Sequence, residues 1–271
     1  MSEKTVIERT KEPITKKHIL ESLKRLGIQP NDTLLVHSAL SSLGWVVGQE
    51  VSVIQALLEA LPEGTLMMPT HSAGNSDPAD WENPPVPEAW IPVIYEHMPA
   101  YDPALTPTRG MGRIPELFRT WPGVMRSSHP QTSFSAHGPK ASTLTSPHAL
   151  TPMFGDDSPI AALVRDNGKI LLFGVGYDSC TTLHYSELLA GVLPLKSTGC
   201  ALYEEGQRIF KKYLDYDYDS DDFAALGEAY EATHTVSKTT LGNATLRLVD
   251  AADLVAFGTT WLKAHREVSH A

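Results

Sequence analysis

The sequence predicts an α/β fold, a single domain in which helices flank a central mixed sheet. Residues 33–61 and 170–191 each indicate a buried strand, then a turn rich in Ser or Gly, then a helix. The 271 residues contain no internal repeat and no clear linker. We therefore predict an N-terminal tail over 1–14 and one domain over 15–271. No Gly-x-Gly-x-x-Gly follows a predicted strand, which argues against a Rossmann nucleotide fold.

The start of the domain alternates predicted helices and strands. Apolar residues at helical spacing predict a helix over 15–26, which Gly27 closes. A strand is predicted at 33–37, a helix at about 50–61 and a short buried strand at 65–69.

Residues 71–107 form a long connection rich in Pro, Asp and Trp. A connection of this length inside a compact domain usually carries function, so we expect a lid or pocket wall with a short helix at 90–97. Beyond it, the pattern predicts a helix at 113–121, a strand at 132–137 and a helix that begins at Pro159.

The second half begins with the apolar run 170–173, which predicts a buried strand. A hairpin is predicted at 200–213, because two strand-like runs flank a short turn that contains Gly. A helix at 223–233, a strand at 244–249 and an amphipathic helix at 251–265 complete the predicted elements.

The composition excludes several classes of protein. Apolar residues make up 42% of the chain, and no apolar run approaches the roughly 20 residues of a membrane span. The first 13 residues are too charged for a signal peptide and the two cysteines do not make a disulfide framework, so we expect a cytoplasmic protein. A net charge of −10 argues against nucleic acid and suits a cationic small molecule, although acidity for solubility alone is an alternative.

The stretch 174–187 carries the clearest chemical signal. It opens with Gly-Val-Gly, where missing side chains let a ligand lie against the backbone. Thr181 or Thr182 can then cap a helix that ends near Gly191.

His184 and Glu187 lie three residues apart in this helix and therefore share a face. The positive end of the helix disfavours imidazolium, so we expect His184 to be neutral and able to accept a proton at pH 7. A general base with an adjacent carboxylate at the carboxyl end of a strand suits catalysis. The spacing alone equally fits a capping threonine beside an incidental surface histidine.

Two other chemistries stay open from residue types alone. Cys180 is either a thiolate nucleophile or a small packing residue. A zinc site needs several ligands, and four histidines are candidates although none shows ligand spacing. These are His71, His129, His137 and His184.

The acidic stretch near residue 220 partly matches a calcium loop. Asp217, Asp219 and Asp221 match its positions 1, 3 and 5, and Glu228 falls at position 12. Position 6 needs Gly but is Asp222, and a helix is predicted directly afterwards. We therefore expect no metal, and a cationic ligand would relieve the repulsion among these acids.

Several of these stretches together resemble the aminoglycoside 3-N-acetyltransferase family. The resemblance covers about residues 15–262 and, through the Pro-rich insert at 83–87, is nearest to Bacillus members of the family. The stretches that carry it are 37–44, 108–112, 126–130, 174–184 and 215–223.

The resemblance implies acetyl-CoA as the acetyl donor. Arg109, Arg113 or Arg126 would meet its phosphates, with an internal ion pair as the alternative for the first two. The residues implied along the coenzyme are Ser38, Leu40, Ser41, Gly44, Arg126, Ser127, Phe134, Val175 and Gly176.

The resemblance also implies roles in catalysis. His184 would accept a proton from the acceptor amine as its nitrogen attacks the thioester in a direct transfer. Glu187 would orient the ring or hold the substrate ammonium. Thr182 would donate to the developing oxyanion or only cap the helix.

Six polar residues are implied around the acceptor: Asn75, Asp77, Asp80, Asp217, Asp219 and Asp222. The leading acceptor is the 3-amino group of a 2-deoxystreptamine aminoglycoside, which would make the protein an antibiotic resistance enzyme. Asn75 stands where some members carry a carboxylate, so a different amine is the alternative. A non-catalytic protein that binds acyl-CoA or a metal is a third hypothesis, and a homodimer fits each of them.

Overall fold

The computed structural model describes residues 2–266. In chain order the α-helices are α1 (Glu3–Arg9), α2 (Lys16–Leu26), α3 (Leu40–Leu43), α4 (Gln49–Ala60), α5 (Ile91–His97), α6 (Arg113–Phe118), α7 (Ala141–Thr145), α8 (Pro159–Arg165), α9 (Leu183–Ala190), α10 (Phe223–Thr233) and α11 (Ala251–His265). The strands are β1 (Thr33–Ser38), β2 (Thr65–Pro69), β3 (Met125–Arg126), β4 (Phe134–His137), β5 (Lys169–Phe173), β6 (Leu195–Glu204), β7 (Gln207–Tyr216), β8 (Ser237–Leu241) and β9 (Ala244–Asp250).

Seven of these strands form one sheet in the order β3-β4-β2-β1-β5-β9-β8, and β6 pairs with β7 in a separate hairpin. β1 is parallel to β2 and to β5, whereas the other pairs of the large sheet are antiparallel. The predicted single α/β domain with a central mixed sheet is therefore confirmed, and the arrangement is not that of a Rossmann fold.

Each face of the sheet has its own hydrophobic core, because successive side chains of a strand point to opposite faces. Leu35, Ile170 and Leu172 pack with helices α7 to α11 on one face. Leu34 and Leu171 pack with α2, α4 and α6 on the other. Both faces are covered, so the parallel strands contain successive apolar residues, which is why the sequence predicts them. Among the described residues, no helix is both long and apolar enough to span a membrane.

Most predicted helices and strands are present, with ends that differ by a few residues. At α2, the Thr15 hydroxyl accepts from His18 N, and Gly27 ends the helix at φ 85°. The predicted helix at 113–121 already stops at Phe118. Sequence patterns missed the short elements α3, α7 and β3 and the edge strand β8, because short or exposed segments carry little hydrophobic periodicity.

The N-terminal tail forms helix α1, in which no residue is buried. Its end is held where Trp45 N donates to Thr10 Oγ1 (2.7 Å) and Asn243 Nδ2 donates to Arg9 O (3.0 Å). The end of this segment is therefore docked on the domain. The domain boundary at residue 14 stays a prediction.

The long connection 71–107 carries α5, as predicted, and packs against the β6–β7 hairpin. Asn75 makes two hydrogen bonds of 2.8 Å with the backbone of Ala201 in β6. Arg208 in β7 donates to Met98 O (2.9 Å) and Tyr95 O (2.5 Å). The connection and the hairpin therefore form one wall of the molecule.

Candidate active site

Three histidines meet at the carboxyl edge of the central sheet. His37 lies near the end of β1, His71 follows β2, and His184 lies in the first turn of α9, after β5. Strands β2, β1 and β5 are adjacent and parallel, so the segments that follow them meet at one edge. The three histidines line one depression of about 310 Å³.

His184 is held by Glu187, one turn further along α9. Its Nδ1 donates to Glu187 Oε2 at 2.5 Å. A carboxylate only accepts, so Nδ1 carries a proton, and Nε2 is the ring nitrogen left to exchange a proton with a substrate. The His184 side chain is 17% exposed, which leaves it open to the depression.

The Glu187 carboxylate is 0% exposed, yet it is well compensated. Its Oε1 accepts from Asp219 N (3.1 Å) and from Arg266 Nη1, and Arg266 also pairs with Asp222. A buried charge with such partners is stable where an isolated one is not. Arg266 lies 79 residues from Glu187, so no local pattern in the sequence indicated it.

Aromatic rings enclose the His184 imidazole. Phe154 stacks on it with centroids 5.0 Å apart and 15° between the planes. Tyr218 and Phe223 lie at 5.5 and 5.0 Å. These rings fix the orientation of the imidazole and limit the water around it. Phe154 lies in an irregular segment without a motif, so sequence reasoning missed it.

Thr182 precedes α9 but does not cap it. Its backbone is helical and its hydroxyl makes no capping hydrogen bond, so the capping prediction is wrong for Thr182. Thr182 Oγ1 is buried and has no hydrogen-bond partner within residues 2–266. Cys180 is buried, and burial raises its pKa to about 12, which supports the packing alternative over a thiolate nucleophile.

His37 is buried and His71 is partly buried with a buried Nε2, and sequence reasoning left both without a role in catalysis. In the described part of the chain, neither Nε2 has a hydrogen-bond partner. Burial lowers the pKa of His37 to about 3, and His184 adds to this. Burial, with His37 and His184 nearby, also holds the pKa of His71 well below its usual value. Both rings are therefore neutral at pH 7, and their place at the ends of predicted strands was the available signal.

A groove of about 470 Å³ runs from this depression along the turn after β1. Ser38 and Val175 line both the groove and the depression, so the two spaces are continuous. Gly176 follows Val175 directly in the chain. The predicted coenzyme residues that line the groove are Ser38, Leu40, Ser41, Gly44 and Val175.

Four predicted coenzyme residues are not among those that line this groove: Gly176, which directly follows Val175, and Arg126, Ser127 and Phe134. The Arg126 guanidinium donates to three backbone carbonyls, at 2.5, 2.7 and 3.1 Å. Ser127 is buried, where its hydroxyl bonds to His148 Nδ1 and accepts from Phe134 N, both at 2.9 Å. Phe134 is 0% exposed and belongs to the core. These side chains hold β3, β4 and the long connection together, which their residue types did not reveal.

The other two arginines differ in their placement. Arg113 lines the groove, and its Nη2 donates to Glu50 Oε1 at 2.8 Å, so the ion-pair alternative describes it. The Arg109 side chain lies against Gly74 instead, while its backbone N donates to His71 O at 2.9 Å.

Two of the six predicted acceptor contacts are buried structural groups. Asn75 is bonded to β6, as described above. Asp77 accepts from Tyr95 OH (2.6 Å) and pairs with Lys212 (3.1 Å). Burial alone would raise the pKa of Asp77, but hydrogen bonds from Tyr95, Ala79 N and Lys212 hold it below its usual value. Both residues therefore fasten the hairpin to the long connection.

The other acids are more accessible. Asp80, Asp217 and Asp219 are exposed, and Asp217 pairs with Lys196 at 3.3 Å. Asp222 is partly buried and engaged by Arg266. The backbone of Asp219 contacts both Glu187 and Arg266, which places this acidic loop beside His184.

Neither metal alternative has the geometry it needs. Within residues 2–266, no three His, Cys, Asp or Glu side chains are placed to hold a metal ion. His129 is unavailable as a ligand, because its Nδ1 accepts from Gln131 N and Thr132 N and its Nε2 bonds to Leu150 O. Helix α10 begins where a calcium loop would have to continue.

An imidazole held by a buried carboxylate, beside a groove at the carboxyl edge of a mixed sheet, is an arrangement suited to general acid–base catalysis in an α/β enzyme. A family model described as aminoglycoside 3-N-acetyltransferase matches residues 35–263. The chain therefore belongs to the aminoglycoside 3-N-acetyltransferase family, which confirms the resemblance.

Individual relatives agree with this assignment. The chain is 42% identical over 260 residues to the SPbeta prophage-derived aminoglycoside N(3')-acetyltransferase-like protein YokD of Bacillus subtilis (strain 168), covering 95% of this chain and 96% of the relative. It is 34% identical over 284 residues to aminoglycoside N(3)-acetyltransferase VIII of Streptomyces fradiae, covering 97% and 96%.

Solved structures extend the similarity to three dimensions. YokD from Bacillus subtilis matches with a TM-score of 0.94 at 40% identity, over 97% of this chain and 98% of that one. AAC-VIa bound to sisomicin matches with a TM-score of 0.84 at 31% identity, over 94% and 100%. AAC-IIIb in a binary complex with CoASH matches with 0.83 at 29%, over 96% and 100%. The protein is thus an acetyltransferase of this family.

Proposed function

We propose that the protein transfers the acetyl group of acetyl-CoA to the 3-amino group of a 2-deoxystreptamine aminoglycoside, with His184 as the general base. The observation that carries this proposal is the chain of contacts from Arg266 to Glu187 to His184 Nδ1. It leaves His184 Nε2 as the acceptor of a proton in a depression that continues into a groove.

The groove suits the pantetheine arm of the donor. It is lined by small and polar residues of the turn after β1, and Arg113 lies along it. Ser38 Oγ, at the junction with the depression, is buried and has no hydrogen-bond partner in the described residues. An unmatched hydroxyl there is suited to the amides of such an arm. The CoASH complex of AAC-IIIb supports the same donor.

The proposed transfer is a single displacement. The amine nitrogen bonds to the thioester carbonyl carbon while His184 Nε2 takes a proton from that nitrogen. The carbonyl π electrons move to oxygen, and their return breaks the C–S bond. The leaving thiolate takes the proton from His184, which yields the amide, the free thiol and a neutral imidazole.

The acceptor is proposed to bind at the acidic loop near His184. Asp217 and Asp219 are exposed there, and relatives across the family are named for aminoglycosides. One observation favours a different amine as the second candidate. Asn75 is neutral and Asp77 is engaged by Lys212, so this wall offers fewer free carboxylates than the resemblance implied.

The test is a thiol-release assay with acetyl-CoA and a panel of aminoglycosides, followed by NMR of the acetylated product. We expect release with at least one 2-deoxystreptamine compound and acetylation at its 3-amino group. Thiol release only with amines other than aminoglycosides would favour the second candidate, a different amine as the acceptor. Absence of release with every amine would contradict an acetyl transfer at this site.

A further inference from the structure

Two of the three histidines at the sheet edge have no part in the proton transfer described above. His37 is 3% exposed, and its Nε2 and that of His71 are buried without a hydrogen-bond partner in the described residues. Buried polar atoms are nearly always hydrogen-bonded, so two unmatched ring nitrogens in one depression are well placed to bind a polar atom of a substrate. Both histidines line the depression that His184 lines.

The packing fixes these imidazoles relative to the base. Phe154 packs against both His184 and His71, with ring centroids 5.0 and 6.1 Å apart, respectively. His37 is in β1, in register with Leu172 of β5. Side chains held on strands and packed against rings are preorganised, which is the condition for effective electrostatic stabilisation.

The proposed reaction requires hydrogen-bond donors around the thioester oxygen. Negative charge develops on the thioester oxygen as the amine attacks, and donors aimed at that oxygen lower the barrier. A cationic donor would repel an ammonium substrate and make His184 a weaker base. A neutral imidazole donates a hydrogen bond without either penalty.

We propose that the Nε2–H groups of His37 and His71 bind the thioester carbonyl oxygen and stabilise the oxyanion formed there. This assignment rests on the acetyl transfer proposed above. It makes both histidines catalytic residues that act as neutral donors, with His184 as the acceptor of the proton.

The kinetic test replaces His37 by Leu and by Gln, whose amide nitrogen can occupy the place of Nε2. We expect H37L to lower kcat about 10²–10³-fold, with the Kd for coenzyme A unchanged. H37Q should recover a large part of the loss. His137, in β4 and outside the depression, provides the matched control, and H137Q should retain wild-type turnover. Equal kcat in H37L and wild type, or no recovery in folded H37Q, would overturn the proposal.

A binding measurement separates this proposal from the proposed function. S-acetonyl-coenzyme A carries a ketone in place of the thioester and transfers nothing. With ¹³C at that ketone, its NMR resonance should move downfield on binding to the wild type and return toward the free position in H37L. If the shift occurs but no amine is acetylated, the proposed function fails and the carbonyl site stands. If turnover occurs and the resonance is the same in wild type and H37L, the carbonyl site fails alone.

The tautomers of His37 and His71 provide a test on the wild-type protein, which does not require any variant to fold. In ¹⁵N-labelled wild-type protein, long-range ¹H–¹⁵N correlations should show protonated Nε2 in both His37 and His71. Protonation on Nδ1 in both rings would refute the proposal, because an unprotonated Nε2 cannot donate.

Discussion

Two pairs of histidines with buried ring nitrogens differ in what surrounds those nitrogens. In the first pair, His129 Nδ1 accepts from two backbone N–H groups and its Nε2 bonds to a carbonyl. His148 bonds to Ser127 Oγ (2.9 Å) through Nδ1 and to Met153 O (2.9 Å) through Nε2. All four ring nitrogens of this pair thus have partners within the protein.

The second pair is His37 and His71, whose Nε2 atoms have no partner in the described residues. Burial does not distinguish the two pairs. It lowers the pKa of His129 to about 4, that of His148 to about 3 and that of His37 to about 3. The two pairs differ in their hydrogen bonds. Ring nitrogens with partners in the protein hold loops together, whereas ring nitrogens without partners, beside a groove, are available to a ligand.

The largest expected effect is at the third histidine of the depression. H184Q should lower kcat about 10²–10⁴-fold with little change in coenzyme A affinity, because it removes the proton acceptor and leaves the groove intact. Thiol release and calorimetry measure the two quantities. H97Q, on the exposed face of α5, should behave as wild type. An unchanged kcat in H184Q would contradict the role of His184 as the general base.

Arg266 should come next, because it compensates the carboxylate that orients His184. R266M leaves Glu187 buried with one partner fewer, which should cost about 3 kcal/mol of unfolding free energy and lower kcat. Urea denaturation and thiol release test both effects. The exposed Lys263 of the same terminal segment is the control, and K263M should change neither. Unchanged stability in R266M would mean that Glu187 does not need its partner.

Acid should lower the free energy of unfolding through His129 and His148, the pair whose ring nitrogens are all hydrogen-bonded. The folded pKa values of His129 and His148, about 4 and 3, lie below the usual 6.5, so the unfolded chain binds more protons between these values. Their contribution to stability is full above pH 6.5 and is lost as the pH falls toward 3. H129N keeps an acceptor near Nδ1 but does not titrate, so its unfolding free energy should depend less on pH between 6.5 and 4.

Urea denaturation at a series of pH values measures this slope. H97Q is again the control, and its curve should run parallel to that of the wild type. If the H129N curve is also parallel, burial does not hold His129 neutral in the folded protein, and this pair makes no contribution of the expected kind to acid sensitivity.

The smallest effect is expected at the acidic rim. Asp217 is 51% exposed and already paired with Lys196, so D217N should weaken acceptor binding by only about 0.2–1 kcal/mol, up to roughly fivefold in KM. Steady-state kinetics with the best acceptor measure it. Glu205, at the exposed turn of the hairpin, provides the control as E205Q. A rise in KM of more than tenfold in D217N would mean that Asp217 binds the acceptor directly, where we expect only a weak, solvent-screened ionic interaction.

The sequence alone determined the features that depend on neighbouring residues. The central strands were predictable because both faces of their sheet are covered, which makes 34–36 and 170–173 continuous apolar runs. The ends of α2 were predictable because capping is a contact over three residues. The His184–Glu187 contact was predictable because residues three apart share a face of a helix.

Only the tertiary structure decided which polar groups face the groove and which hold the fold together. Arg126, Ser127 and Asn75 have residue types suited to ligand binding, yet their partners are backbone and side-chain groups brought to them from distant segments. Conversely, the unmatched nitrogens of His37 and His71 are visible only once every neighbour is placed. Hydrogen-bond saturation depends on contacts between residues far apart in the chain, and spacing along the sequence carries no record of it.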